Sequence, residues 1–249
     1  MGTPKVRLFA PDALTAGADL VVSGKAAHYL VHVMRLAEGD DLRVFNGRDG
    51  EWRAILTERR RGDCRLRVDE RLREQGSEPG PWLAFAPLKK DAQDLLIAQA
   101  TELGVERLLP VLTRFTSVDR INLERLRAHA IEAAEQSRRL TVPVIDEPCP
   151  LAALLGRWPP ERPLLFANES GGSLALADAV RGGSPAPGLL VGPEGGFSAE
   201  ERADLVARPF VTAIGLGPRI LRAGTAAVAA LACWQALCGD WRQQTPTRE

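Results

Sequence analysis

The sequence predicts an α/β protein in which a small, mostly β N-terminal module precedes a domain with a largely parallel sheet. Residues 1–73 contain short alternating strands separated by Asn-Gly and Asp-Gly turns, and the polar stretch EQGSEPG follows at 74–80. From residue 81 onward, apolar strands alternate with helices. Asn-Gly and Asp-Gly supply the positive φ of hairpin turns, whereas alternating strands and helices form parallel sheets. We therefore expect a linker at 74–80 and a second domain over 81–249.

In the N-terminal module, apolar residues recur at every second position, as they do in half-buried strands. The predicted strands cover 6–9, 19–22, 41–45, 52–56 and 64–68, and one helical segment covers 26–36. Asn46-Gly47 and Asp49-Gly50 follow the third strand and predict the turn into the fourth. These elements indicate a small barrel-like β module.

In the second domain, short apolar runs alternate with longer helical patterns. The predicted strands are WLAFAP, LLPVL, PLLFA, GLLVG and VTAIGLG, and the predicted helices cover 91–103, 122–140, 198–207 and 223–237. Gly104 is a typical residue for ending the first helix, and Asn122 is a typical N-cap for the second.

Composition limits the class of protein. The 249 residues carry 32 Lys+Arg against 32 Asp+Glu, with 45% hydrophobic and 26% charged residues, as in an ordinary globular protein. No apolar run approaches the roughly 18 residues of a membrane span, and no apolar signal segment opens the chain, so we expect a cytoplasmic protein without a membrane partner. The cysteine and histidine spacings predict no metal site. Of the basic residues 28 are arginine, which either coding bias or phosphate recognition would explain.

The segment LLVGPEGGFSAEE is the first candidate site. An apolar strand runs into Gly192–Gly196, and a helix begins near Ser198. Glycines let the backbone approach a ligand closely, and N–H groups before a helix can bind an anion or an adenosyl group. Ser198 and Glu201 predict a capping box. The alternative is a glycine-rich turn without a ligand, since neither common nucleotide fingerprint is present.

Two further segments have the same strand-to-loop pattern. In AIGLGPRILRAGTAAVAAL, a strand runs into glycines and then Arg219 and Arg222, which could grip a phosphate or be a surface pair. In LLFANESGG, Asn168 or Glu169 could bind a ligand or form a simple turn. Loops at the ends of parallel strands meet at one edge of a sheet, so the three loops predict one crevice.

Arginines also cluster outside the crevice. Eight of them lie between residues 53 and 73, where they predict either a phosphate-binding patch or a solvated hairpin of alternating charge. Glu135, Gln136, Arg138 and Arg139 lie near a helix end in the segment IEAAEQSRRLTVP, which taken alone is typical of a solvated helix face.

Taken together, VGPEGGFSAEE and IGLGPRILRAGTAA, preceded by IAQATELGVERLLPV and EAAEQSRRLTVP, resemble the RsmE family. Its members are bacterial small-subunit ribosomal RNA uridine-N(3)-methyltransferases of the SPOUT superfamily. The segment AAHYLVHVMRLAEGDDLRVFNGRDGEW is similar to the PUA-like RNA-binding domain of that family. The resemblance covers nearly the whole chain, with the motifs in the family's order. It implies a SPOUT domain with a C-terminal trefoil knot, S-adenosylmethionine as cofactor, ribosomal RNA in the small subunit as partner, and a homodimer.

Site residues follow from the resemblance by position. The implied cofactor loops contain Phe166, Ala167, Gly192, Pro193, Glu194, Gly195, Gly196, Leu216, Gly217, Pro218, Ile220, Leu221, Thr225 and Ala226. For the reaction, we expect Arg222 to stabilise charge on the uracil and Glu194 to act as a base or an orienting group. The expected RNA contacts are Arg7, Arg35, Arg138, Arg139 and Arg219.

The sequence departs from the family pattern at one place in the last loop. Where the family usually has Leu-Arg-Thr-Glu-Thr-Ala, this chain has Leu-Arg followed by Ala223 and Gly224. No role of the family's glutamate can therefore be transferred. Two alternatives stay open, namely a SPOUT enzyme that modifies another RNA or a ribose 2′-hydroxyl, and an RNA-binding module that has lost activity.

Overall fold

The computed structural model of the chain describes residues 6–118, 120–169, 171–181 and 186–243. These residues divide into two compact units. The first comprises the described part of Met1–Glu78 together with Ala134–Val142, and the second comprises that of Pro79–Ala133 and Pro143–Arg248.

The first unit contains a five-stranded sheet. Its strands are β1 (Arg7–Phe9), β2 (Asp19–Ser23), β3 (Asp41–Phe45), β4 (Glu51–Arg59) and β5 (Asp63–Arg73), in the order β1-β3-β4-β5-β2. β1 is parallel to β3, and all other neighbours are antiparallel. Alternate side chains bury one apolar face, which includes Leu42, Val44, Ala54, Leu56, Leu66 and Val68. The predicted β module is confirmed, because the period-2 pattern places these residues on one side of each strand.

The turn between β3 and β4 is built by the residues that predicted it. Asp49 accepts hydrogen bonds from the Leu14 amide (3.0 Å) and from the Asn46 side chain (2.6 Å). These bonds, with a smaller effect of the neighbouring arginine, lower the pKa of Asp49 to about 2. Gly50 has a φ of 87°, and a Cβ there would lie 2.2 Å from the Arg73 carbonyl oxygen. Only glycine therefore fits this position.

The predicted helix over 26–36 is shorter and less regular than expected. It consists of α1 (Gly24–His28) followed by a π-helical turn over Tyr29–Val33. The Met34 amide donates to the Tyr29 carbonyl at 2.9 Å, and Arg35 then adopts a left-handed φ of 57°. A residue in that conformation cannot continue a right-handed helix, so the segment ends there.

Arg7 lies inside the first unit. Its Nε donates to Glu51 at 2.5 Å, and its guanidinium carbon lies 3.7 Å from the centre of the Phe45 ring. The same guanidinium donates to the carbonyls of Ala134 and Arg139. Burial lowers the pKa of Arg7, although Glu51 acts in the opposite direction. We expected Arg7 to contact RNA, but its side chain is 6% exposed and its guanidinium is bonded inside the fold, so it presents no free group to a phosphate. Arg7 is therefore withdrawn as an RNA contact.

Glu78 also holds residues 134–142 against the rest of the first unit. Its carboxylate accepts hydrogen bonds from the amides of Leu140 (3.1 Å) and Thr141 (3.2 Å) and from the Thr141 hydroxyl. Desolvation raises the pKa of Glu78, but these bonds and Arg139 together bring it below its usual value. Arg139, also expected to contact RNA, is buried with its Nε 3.5 Å from Glu78. It too is withdrawn, because its side chain serves the packing of this segment.

The second unit contains a sheet in which every pairing is parallel, as the alternation of strands and helices predicts. Its strands are β6 (Trp82–Phe85), β7 (Arg107–Leu112), β8 (Val144–Ile145), β9 (Cys149–Pro150), β10 (Leu164–Ala167), β11 (Leu174–Ala175), β12 (Gly188–Val191) and β13 (Val211–Gly215). The order is β11-β13-β10-β12-β6-β7-β8, and β9 also pairs with β7. The helices are α2 (Lys90–Glu102), α3 (Leu123–Ser137), α4 (Leu151–Gly156), α5 (Leu176–Ala179), α6 (Ala199–Val206) and α7 (Ala223–Leu237), of which α3 has its last residues, from Ala134 on, in the first unit.

The sequence predicts the start of α3 correctly but not its end. Asn122 caps the helix as predicted, since its side-chain oxygen accepts a hydrogen bond from the Arg125 amide at 3.0 Å. The predicted end at Leu140 was wrong, because Arg138 takes a left-handed φ of 62° and α3 ends at Ser137.

Candidate functional site

A large cleft lies at the edge where the strands of the second unit end. The neighbouring strands β13, β10, β12, β6 and β7 each send the loop at their carboxyl end into its wall. The cleft has a volume of about 1480 Å³, more than enough for a nucleoside-sized ligand. Open parallel sheets bind ligands at this edge because the loops there converge. The predicted crevice is thus present in the structure.

The loop after β12 forms a tight turn at the floor of the cleft. The Gly196 amide donates to the Pro193 carbonyl at 2.9 Å, and Gly196 has a left-handed φ of 69°. A Cβ on Gly192 would lie 2.9 Å from the ring of the buried Phe197, so the backbone can pass here only as glycine. Glu194 and Gly195 are exposed to the cleft.

The helix that follows begins with the predicted capping box. The Ser198 hydroxyl accepts from the Glu201 amide (3.2 Å), and the Glu201 carboxylate accepts from the Ser198 amide (2.8 Å). The second oxygen of Glu201 accepts from the amide of Arg114, in the loop after β7, also at 2.8 Å. One carboxylate therefore fixes the start of α6 and a second wall of the cleft.

Replacing Glu201 with glutamine should lower the free energy of unfolding by about 1–2 kcal/mol, because the amide keeps only one of the two acceptor oxygens. Chemical denaturation gives the loss of stability, and hydrogen exchange should show a faster Arg114 amide. Glu200→Gln is the matched control, since that carboxylate accepts from the Ser198 hydroxyl and from its own amide, both within the start of α6, and among the described residues has no bond to the loop after β7. Equal effects of the two variants would contradict the dual role of Glu201.

The loop after β13 brings the two arginines of the third motif to the cleft. Pro218, Arg219 and Ile220 are exposed, and Ile220 is 83% exposed. Arg222 is the N-cap residue of α7, with its carbonyl accepting from the Ala226 amide at 2.8 Å. Among the described residues neither arginine forms an ion pair, so both guanidinium groups can bind an anionic ligand.

The Ala223-Gly224 departure lies in the first turn of α7, beside the cleft. Ala223 is 9% exposed. A Cβ on Gly224 would meet only the Leu88 side chain, at 3.8 Å, which is ordinary van der Waals contact. A Cβ at position 224 therefore has room, and nothing near this atom explains why the chain has glycine there.

The loop after β10 forms a third wall. The Asn168 side chain donates to Ser173 Oγ (3.0 Å) and to the Gly171 carbonyl (3.2 Å), so it holds the loop in its turn. Ala167 and Glu169 line the cleft. Phe166, which we expected among the cofactor residues, is 1% exposed and packs edge-on against Phe197. Its side chain belongs to the core and does not line the cleft.

The other expected cofactor residues do line it. These are Ala167, Gly192, Pro193, Glu194, Gly195, Gly196, Leu216, Gly217, Pro218, Ile220, Leu221, Thr225 and Ala226. Sequence reasoning missed the wall from the loops after β6 and β7, which contributes Leu88, Lys89, Phe115 and Ser117. The available signal was their position directly after apolar strands that lie in the same parallel sheet.

The expected RNA contacts separate into two groups. Arg35, Arg138 and Arg219 are exposed, whereas Arg7 and Arg139 are buried as described above. Most of the arginines between residues 53 and 73 are paired with acidic residues, as the alternative of an alternating-charge hairpin predicted. The pairs are Arg53 with Asp69 and Glu70, Arg60 and Arg65 with Glu58, Arg67 with Asp19, Arg71 with Glu74, and Arg73 with Glu51.

Two further properties bear on function. Within the described ranges, no helix combines the length and apolar character that crossing a bilayer requires. The same ranges contain no group of histidine, cysteine and acidic side chains arranged to hold a metal ion. The charged side chains of the cleft are Lys89, Arg202, Arg219 and Arg222 together with the carboxylates of Glu169 and Glu194.

Comparison with known proteins gives consistent matches for both parts of the chain. Residues 78–235 match the family of the RNA methyltransferase domain, and residues 22–69 match that of the RNA methyltransferase PUA domain. The chain is 35% identical to ribosomal RNA small subunit methyltransferase E of Rickettsia conorii over 216 residues, which are 85% of this chain and 87% of that protein. It is 34% identical to the protein of that name from Synechocystis over 226 residues, covering 88% and 74% of the two chains.

A solved structure is similar over nearly the full length. The crystal structure of ribosomal RNA small subunit methyltransferase E from Neisseria gonorrhoeae, bound to S-adenosyl methionine, superposes with a TM-score of 0.86. The two sequences are 28% identical, and the match covers 95% of this chain and 99% of that one.

Proposed function

This chain belongs to the ribosomal RNA small subunit methyltransferase E family, and from that premise we propose that it transfers a methyl group from S-adenosylmethionine to ring nitrogen 3 of a uridine in small-subunit ribosomal RNA. The observation that carries the proposal is the convergence of three glycine-rich strand-end loops on one cleft. This cleft contains both arginines of the LGPRILR motif. We place the protein in the bacterial cytoplasm, where this substrate is found.

The cleft fits S-adenosylmethionine in size and in the chemistry of its walls. Gly192–Gly196 and Leu216–Leu221 present backbone amides and carbonyls to the cleft, and Leu88 and Ile220 add apolar surface. A Cβ on Gly217 would meet nothing within 4 Å, so the space beside this loop is open. Backbone polar groups and apolar side chains suit an adenine and a ribose. When bound, the cofactor supplies an electrophilic methyl group on a sulfonium.

The protein's own residues must prepare the uracil. Ring nitrogen 3 carries a proton at neutral pH and becomes a good nucleophile only when that proton leaves. We assign to Glu194 the role of accepting the proton or orienting the ring. Arg222 supplies positive charge for the anion that develops on the neighbouring carbonyl oxygens, as in an oxyanion site. The base has to leave any stack to enter the cleft, as other enzymes that modify bases require.

The proposal includes the trefoil knot of the SPOUT superfamily. β13 follows β12 in sequence but pairs between β10 and β11. The connection from β10 to β11 therefore has to cross the end of β13, from which the chain continues into α7. Such a crossing is unusual in proteins. It arises when a terminal segment of the chain is threaded through a loop, as in a knot.

The proposal also includes a homodimer and an RNA-binding role for the first unit. Leu95, Ile220, Leu237 and Trp241 of the second unit are between 42% and 83% exposed, and such apolar surface is typical of interfaces. Arg35 and Arg138 are the exposed residues of the first unit that we assign to phosphate contacts. We propose 1–73 as the RNA-binding domain, 74–80 as the linker and 81–249 as the methyltransferase domain.

The proposal predicts methyl transfer to small ribosomal subunits from a strain that lacks this modification. The purified protein is incubated with these subunits and with cofactor carrying a labelled methyl group, and the digested nucleosides are identified by mass spectrometry. We expect label in 3-methyluridine. Subunits that already carry the modification are the control and should accept no label.

The remaining outcomes identify the alternatives. Label in a 2′-O-methylated nucleoside, or in transfer RNA, would replace the proposed reaction with that of another SPOUT enzyme. Binding of the cofactor and the RNA without any transfer would indicate an RNA-binding module that has lost activity.

A further inference from the structure

An aromatic side chain stands exposed in the wall of the cleft. Phe115, in the loop after β7, is 49% exposed and lines the cleft together with Ser117. An exposed ring in a ligand cleft is a surface for binding a flat, apolar face, because its burial by a ligand removes apolar area from water.

The loop that carries Phe115 is held in place by several hydrogen bonds. The Thr116 amide donates to the Thr113 carbonyl at 3.1 Å, and the Thr113 amide donates to the Thr116 hydroxyl at 2.9 Å. The Arg114 amide donates to Glu201, which also caps α6. The ring is therefore presented by a loop that is ordered before a ligand arrives, which reduces the entropy lost on binding.

The loop that carries Phe115 lies beside the loop that carries Glu194, and both line the cleft with Arg222. A Cβ on Gly195 would be 3.2 Å from the Cβ of Phe115, so the loop after β7 touches the loop that contains Glu194. The three glycine-rich loops come from the contiguous strands β13, β10 and β12, whereas Phe115 comes from β7, which is separated from them by β6. Phe115 thus belongs to a part of the cleft wall that the three loops assigned to the cofactor do not provide.

We propose that the Phe115 ring stacks on the target pyrimidine and holds it in the cleft during methyl transfer. A base that leaves its stack loses the contacts of both faces, and an aromatic side chain replaces one of them. Phe115 is then a substrate-binding residue of the site described above, and this assignment rests on the proposed function. The polar edge of the uracil stays free to meet Glu194 and Arg222.

The test compares Phe115→Leu with Phe115→Trp. Methyl transfer to unmodified small subunits is measured at saturating cofactor, and cofactor affinity is measured separately by calorimetry. We expect Phe115→Leu to lower kcat/KM for the subunit roughly 10- to 100-fold, which is the order expected for the loss of one base–aromatic stack. Cofactor affinity and the oligomeric state should not change. Phe115→Trp should retain activity, because an indole also stacks.

A second readout does not depend on turnover. The wild-type chain has five tryptophans, and Phe115→Trp adds one in the cleft. The fluorescence of the added indole should be quenched when unmodified subunits bind, beyond any change seen with the wild-type protein. Val206→Ala is the control for loss of exposed apolar surface, since Val206 lies on α6 outside the cleft and is 67% exposed. It should leave transfer unchanged.

The outcomes separate the two levels of the proposal. Full activity of Phe115→Leu, or absence of quenching in Phe115→Trp, would overturn the stacking role while leaving the proposed function intact. Weaker cofactor binding by Phe115→Leu would assign the ring to the cofactor and would also overturn it. Failure of the wild-type protein to methylate the RNA would remove the proposed function, and the stacking role would fall with it.

Discussion

Replacing Glu51 with alanine will lower the free energy of unfolding of the first unit by about 3–5 kcal/mol, because it leaves a buried guanidinium without its counter-ion. Glu51 is completely buried and accepts from Arg7 Nε at 2.5 Å and from Arg43 at 3.3 Å. Arg73 lies 3.9 Å away from the same carboxylate. The three positive groups are therefore arranged around one negative charge.

The effect should reach residues 134–142, because the same Arg7 donates to the carbonyls of Ala134 and Arg139. The last carbonyls of a helix have no partners within the helix, so a buried donor at this position satisfies groups that would otherwise be costly. Hydrogen exchange of peptides from β3, β4 and residues 134–142 should accelerate together in Glu51→Ala.

The exposed pair of Arg67 and Asp19 in the same unit provides the control. Its side chains are about half exposed, so Asp19→Ala should cost less than about 1 kcal/mol. Replacing both Arg7 and Glu51 with methionine should recover part of the stability lost in Glu51→Ala, because the unpaired charge is removed while the carbonyls of Ala134 and Arg139 lose their donor. If Glu51→Ala costs no more than Asp19→Ala, the buried pair does not have the role assigned to it.

Features set by neighbouring residues could be predicted from the sequence. The capping box of Ser198 and Glu201 and the Asn122 cap each depend on groups three positions apart. The glycines of the loop after β12 follow an apolar run and precede a helix, which is enough to place them at a strand end. Because the strands alternate with helices, the sheet is parallel and its loops share one edge. The crevice follows from these local features.

Features set by distant residues could not be predicted in the same way. Arg7 and Glu51 are 44 positions apart, and Arg7 and Arg139 are 132 positions apart. Nothing in the residues around Arg7 distinguishes a buried arginine from an exposed one, so it was expected on the surface. Phe166 was expected in the cleft but lies in the core. A residue at a strand end can point either way, and here the ring packs against Phe197 in the core.

Replacing Arg222 with alanine will reduce the rate of methyl transfer in a single turnover by about 10²–10³, the loss typical when one preorganised charge-stabilising group is removed. Arg222 lines the cleft at the N-cap of α7, and among the described residues no carboxylate neutralises it. Its charge is therefore available to the anion that forms when uracil loses its proton. The unpaired amides in the first turn of α7 carry partial positive charge. Like Arg222, they favour a negatively charged group at this end of the helix.

The neighbouring arginine separates charge stabilisation from RNA binding. Arg219 is exposed three residues earlier and is assigned to phosphate, so Arg219→Ala should raise KM for the subunit while leaving the single-turnover rate at saturation largely intact. Arg222→Lys should retain part of the rate, because a point charge replaces the planar fork. Arg181→Ala, whose side chain is 79% exposed outside the cleft, is the control and should behave as wild type. Full transfer by Arg222→Ala would remove this residue from the mechanism and leave Glu194 as the remaining candidate for acting on the uracil.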